Sequence, residues 1–106
     1  MFADMTYAGD HAFREKAWVV VVVPPEVWDR AQNALVAVAT GFPFGGRTAV
    51  FPGGGRLSLS KAADPMFLDP PFDVMFLGWG GGRQGATTIQ EMVRWREKAR
   101  AVVSRA

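Results

Sequence analysis

The chain has 106 residues, 49% of them apolar and 21% charged, with a net charge of +2 and no cysteine. These figures exclude a disordered polyelectrolyte, a disulfide scaffold, a thiolate zinc site and a cysteine nucleophile. The length prescribes one domain, large enough to bury a core but with little margin.

Residues 1–16 are mixed and weakly periodic, and read as an N-terminal arm preceding a single α+β domain over residues 17–106. The first ten residues have no basic stretch followed by an apolar one, so no secretory signal is expected. The longest apolar run, residues 17–25, is too short to span a bilayer. A cytoplasmic protein without a membrane partner is the expectation.

Trp18-Val-Val-Val-Val-Val23 does not alternate, which predicts a central strand covered on both faces. Pro24-Pro25 ends it, and Pro25 suits the first position of a helix running to about Thr40. Val27, Ala31, Ala34, Leu35 and Val38 form that helix's apolar stripe, and Gly41 suits its C-terminal end. After a loop over residues 42–46, Thr48–Phe51 and Arg56–Ser60 read as two strands joined by Pro52-Gly-Gly-Gly55. Residues 61–72 are irregular, broken by Pro65, Pro70 and Pro71, and Val74–Leu77 reads as another two-sided strand.

A last helix is expected from about Thr88, with Thr87 and Gln90, or Thr88 and Glu91, as a capping box. Met92, Trp95, Ala99, Val102 and Val103 would be its buried stripe, and Arg94, Lys98 and Arg105 a basic line opposite. The predicted architecture is a four-stranded mixed sheet, in the order β-α-β-β-β-α, with two helices packed on it.

Two short stretches, residues 41–55 and 78–85, hold eleven of the twelve glycines. The second stands between an apolar strand and a capped helix, where bare backbone N–H groups and the helix dipole favour an anion. Gly80 to Thr87 reads G-x-x-x-x-G-A-T and resembles the phosphate loop of nucleoside triphosphatases. Ala86 stands where that family has its lysine, which argues against triphosphate hydrolysis. A phosphate- or carboxylate-bearing ligand held by Gly82, Arg83, Gly85, Thr87 and Thr88 is the reduced expectation. Arg47 and Arg56 also follow glycine turns and would join this site if the turns converge.

Asp69-Pro-Pro-Phe72 resembles the D-P-P-[YF] motif of amino-methyltransferases, in which the acid, a proline carbonyl and the aromatic ring hold the target amine. The glycine motif which that family needs for S-adenosylmethionine has no counterpart in the right context, so an irregular loop is expected instead. His11 is the only histidine and reads as a surface residue. No complete catalytic set, metal site or cofactor is expected.

Phe42, Phe44, Phe67, Phe72 and Trp79 lie in loops or at strand ends, more aromatic surface than so small a domain readily covers. The leading expectation is therefore a non-enzymatic interaction or assembly module that self-associates through these residues, most simply as a dimer. Binding of a small anionic ligand at the glycine loop is the alternative. Nucleic-acid binding through Arg94, Lys98 and Arg105 is a further one.

Overall fold

A computed structural model describes residues 2–61, 68–77 and 86–104, with residues 86–88 described by backbone alone. Among the described residues the fold is mixed α and β, as expected, but the sheet has six strands rather than four, and three α-helices rather than two pack on it.

The additional helix is α1, Phe2–Glu15, formed by the residues read as an arm. Its buried face is Met5, Ala8, Gly9 and Ala12, at helical spacing. Three of those four are Ala or Gly, so the stripe is faint in a hydropathy pattern although it packs tightly. A Cβ on Gly9 would lie 3.0 Å from Val38 Cγ1, so the glycine admits a close neighbouring helix. Asp4 in the first turn and Arg14 in the last complement the dipole. Lys16, at φ +53°, closes the helix in the left-handed conformation, and Ala17 N–H reaches back to Ala12 O at 3.1 Å.

β1, Trp18–Val23, follows directly. Pro25–Val27 form a single 3-10 turn, and α2 covers Trp28–Val38, shorter at both ends than expected. Gly41, at φ +90°, carries the turn after α2 rather than its cap. β2, Phe44–Gly45, is an unforeseen short edge strand, followed by β3, Thr48–Val50, and β4, Arg56–Lys61. The glycine turn between β3 and β4 has two structural duties. Gly53 and Gly54 take positive φ, and a Cβ at Gly55 would collide with the carbonyl oxygen of Ala12.

β5 is Asp73–Phe76 and α3 is Ala86–Lys98. α3 stops short of the expected end, because Ala101–Val102 form β6 alongside β5. Arg100 N–H bonds Phe72 O at 2.7 Å and Val103 N–H bonds Val74 O at 2.8 Å, so the backbone of β5 is satisfied on that edge. Val102 and Val103 thus serve a strand and its end, not a helical stripe.

The strand order is β2-β3-β4-β1-β5-β6. β4, β1, β5 and β6 are parallel, β3 runs antiparallel to β4, and β2 runs antiparallel to β3. Val19, Val21, Val23, Leu57, Leu59 and Met75 face α1 and α2 in one core. Val20, Val22, Phe72 and Val74 meet Trp95 of α3 in a second core on the other face. Burial on both faces explains why β1 does not alternate. Each fully buried valine there contributes about 1.5 kcal/mol or more of transfer free energy.

Candidate functional site

The amino ends of three parallel strands meet on one edge of the sheet, with Trp18 in register with Arg56, and Val19 with Asp73. They form the floor of a cleft of about 220 Å³, bordered by Lys16, Trp18, Arg56, Phe72, Asp73 and Arg100. The left-handed turn at Lys16 brings that side chain over the glycine turn, its stem 3.5–3.8 Å from the Cβ position of Gly53. The short step from α3 into β6 brings Arg100 to the same edge.

Asp73 is the buried charge of this site, only 1% exposed. Arg100 donates to it twice, Nε to Oδ1 at 2.8 Å and Nη2 to Oδ2 at 2.7 Å. Nε2 of His11, on α1, lies 3.2 Å from Oδ2. Burial alone would raise the carboxyl pKa, but the hydrogen bonds and charges of Arg100 and His11 outweigh it and hold the group below its ordinary value. The same bonds and the carboxylate's charge push the Arg100 guanidinium up. The cluster ties α1, β5 and the start of β6 together.

Trp18 is fixed at its polar end. Its Nε1 donates to Ser58 Oγ at 2.8 Å, and Ser58 Oγ lies 2.8 Å from Thr48 Oγ1. The Phe72 ring meets it edge-on, with centroids 5.6 Å apart. The Arg56 guanidinium carbon sits 4.3 Å from the indole centroid, a cation–π contact. Lys16, Arg56 and Arg100 therefore all border one cleft, where the lining carboxylate, Asp73, is already engaged and Glu15 lies near enough to act on Arg100.

Arg47 and Arg56, predicted to share a site, do not meet. Arg47 borders a groove on the α2 face and lies 4.7 Å over Trp28, where Lys61 also approaches to 5.0 Å. Arg56 is on the opposite face and at the opposite end of β4, because successive strand residues alternate in direction. Gly82, Arg83 and Gly85 lie outside the described residues, and Thr87 and Thr88 are in the first turn of α3.

Among the expected interface residues, Phe42 and Phe44 are 37% and 44% exposed. Phe72 is not available: it is 1% exposed, packed edge-on between Trp18 and Trp95. Phe67 and Trp79 lie outside the described residues. On α3, Arg94 is exposed and Lys98 partly buried, while Arg105 lies outside the described residues. Arg96 is exposed, with its guanidinium carbon 5.8 Å from the Phe76 ring centroid.

The sequence does not single out Lys16, Trp18 or Arg100; it reads Asp73, with Asp64 and Asp69, as a solvated acid of a proline-rich stretch and His11 as a surface residue, whereas Asp73 is a buried strand residue bonded to both His11 and Arg100. The contacts joining His11 to Asp73 and Trp18 to Ser58 span 62 and 40 residues, beyond any local pattern. One signal was present: an acid opens the apolar run Asp73-Val-Met-Phe-Leu77. A carboxylate at the mouth of a two-sided strand must find a cationic partner.

Among the described residues, no helix is long and apolar enough to cross a membrane, and no three His, Asp or Glu side chains are grouped to hold a metal ion. No family model matches this chain, and it has no match among the curated proteins or the solved structures.

Proposed function

We propose that the protein is a binding module for a small anionic ligand, seated in the cleft at the amino edge of β4, β1 and β5. The observation that carries this reading is the convergence of Lys16, Arg56 and Arg100 on one hollow with a rigid aromatic floor. Each charge-assisted hydrogen bond to a phosphate or carboxylate contributes about 1.5–3 kcal/mol. Losing one should therefore weaken binding by about tenfold or more. Calorimetric titration with inorganic phosphate and with adenosine 5′-monophosphate at low salt tests it. Binding that is lost in Arg56→Gln supports the cleft, and no heat with either ligand refutes it.

The glycine segment is a second candidate seat for the same kind of ligand. α2 follows β1 on one face and α3 follows β5 on the other, so the winding reverses between two neighbouring parallel strands. Ligands of open α/β sheets favour the carboxyl edge at such a reversal. In the same titration, Arg83→Gln rather than Arg56→Gln would then abolish binding.

Self-association remains a reading of a different class. It is favoured by exposed Phe13 and Phe42 around an apolar groove that Val38 and Phe51 also border, with exposed Phe44 lining a separate groove beside Arg47. Sedimentation that gives a dimer for the natural chain and a monomer for Phe42→Ser/Phe44→Ser supports it. A monomer at 100 μM or so is refuting, since obligate association is tighter than that.

A further inference from the structure

We infer that the ligand of the amino-edge cleft carries a planar ring beside its anionic group, as a nucleoside monophosphate does. This rests on the anion-binding reading above and goes further than charge requires.

Its ground is the Arg56–Trp18 pair. An arginine at the rim of a cleft ordinarily moves freely, and ordering its side chain costs free energy. Here the guanidinium lies 4.3 Å from the indole centroid. The indole is held in turn by Ser58 at its nitrogen and by the edge of Phe72. Ser58 is itself held by Thr48, on the next strand. The guanidinium therefore rests over a fixed ring, while Arg56 also borders the cleft. Guanidinium planes stack on nucleobases, and a pre-placed plane forms that stack without a further ordering cost.

The anionic end has separate holders. Lys16 and Arg100 border the same cleft from α1's exit and from β6's approach. Asp73 takes two of the five N–H donors of Arg100 and fixes the direction of the fork. Lys16 supplies a compact charge suited to phosphate. The arrangement thus divides a stacking plane from a phosphate clamp, the division that a phosphorylated nucleoside needs. A bare oxyanion would use the charges alone, that of Arg56 included, and would leave the plane idle.

The test compares adenosine 5′-monophosphate, ribose 5-phosphate and inorganic phosphate by calorimetry on the natural chain and on Arg56→Lys. Lysine keeps the charge and loses the plane. In the natural chain the nucleotide should bind about tenfold tighter than ribose 5-phosphate, within the range that one stacked base supplies. In Arg56→Lys that advantage should vanish, while ribose 5-phosphate binding changes by less than about threefold, the charge being unaltered. Equal binding of the two sugar phosphates by the natural chain overturns the ring while leaving the anion site standing. A nucleotide advantage that survives in Arg56→Lys also overturns it. Failure of all three compounds to bind removes both readings. Thermal melting of Arg56→Lys is checked first; Arg56 is exposed, so its melting point should stay within a few degrees.

Discussion

The Asp73–Arg100 pair makes an asymmetric prediction about stability. Removing either partner breaks the same two hydrogen bonds, yet the residues left behind differ. Arg100→Ala strands a carboxylate that is 1% exposed, with only His11 beside it. Breaking a fully buried ion pair in this way costs about 3–5 kcal/mol, and because Arg100 stands largely in water and Asp73 borders the cleft, the cost here should fall at or below the low end of that range. Asp73→Asn leaves a guanidinium whose side chain is 60% exposed and which water can solvate. The asparagine oxygen can still accept one bond, so that change should cost about 1–2 kcal/mol. Against a total of about 5–15 kcal/mol for a domain, the first substitution removes a large share.

The pH dependence separates the two variants further. In the natural chain the folded carboxyl pKa is lowered from 3.8. Its stabilisation is therefore complete above about pH 4 and is lost as the pH falls through the folded value. In Arg100→Ala, burial becomes the dominant influence and should raise the carboxyl pKa. That variant is then most stable in acid and loses stability as the pH rises. The gap between natural chain and Arg100→Ala should be widest near pH 7 and should close toward pH 4. Urea unfolding at pH 7, 5.5 and 4, with two probes to check two-state behaviour, measures it. If Arg100→Ala costs no more than Asp73→Asn at pH 7, or if its deficit is independent of pH, the account of Asp73 as a clamped buried charge fails.

Two further predictions concern the floor and the rim of the cleft. Gly55→Ala drives a methyl group into the Ala12 carbonyl and should destabilise by about 1–3 kcal/mol or more, whereas Gly45→Ala, which meets nothing within 4 Å, should stay within about 0.5 kcal/mol. Equal urea midpoints for the two would contradict the close approach of α1 to the β3–β4 turn. Trp18→Phe removes the donor to Ser58 but leaves Thr48 as a partner for that hydroxyl, so it should cost about 1–2 kcal/mol by the same measurement, besides weakening nucleotide binding. No change in either quantity would show that the indole is not the support of Arg56.

What the sequence disclosed divides by the range of the interaction. Five valines without alternation announce a strand buried on both sides, and β1 is one. The stripe Val27, Ala31, Ala34, Leu35 and Val38 faces the core as its spacing requires. Both features follow from one short window. α1 escaped because its buried face uses Ala8, Gly9 and Ala12, whose value lies in close approach and not in hydropathy. β6 escaped because Val102 and Val103 fit a helical stripe and a strand alike, and the decision belongs to the open edge of β5. The cleft was the least legible part. Its members come from α1's exit, three strand ends and the approach to β6, and their conjunction is a property of register.

The position of the cleft also bears on how binding and folding are linked. Arg100 is both the fork that neutralises Asp73 and a wall of the ligand site, so an anion there adds to a charge arrangement that the fold already requires. Two of its five donors serve Asp73, and the ligand needs only those that remain. Binding should therefore stabilise the chain without competing with the buried pair, by about 2.7 kcal/mol at a hundredfold excess over Kd. In Arg100→Ala a phosphate would face Asp73 with one cation fewer between them, and like charges would repel. Ligand should then rescue Arg100→Ala far less than it stabilises Asp73→Asn. If saturating nucleotide raises the melting points of both variants equally, Arg100 is a structural residue alone and the anion is held elsewhere.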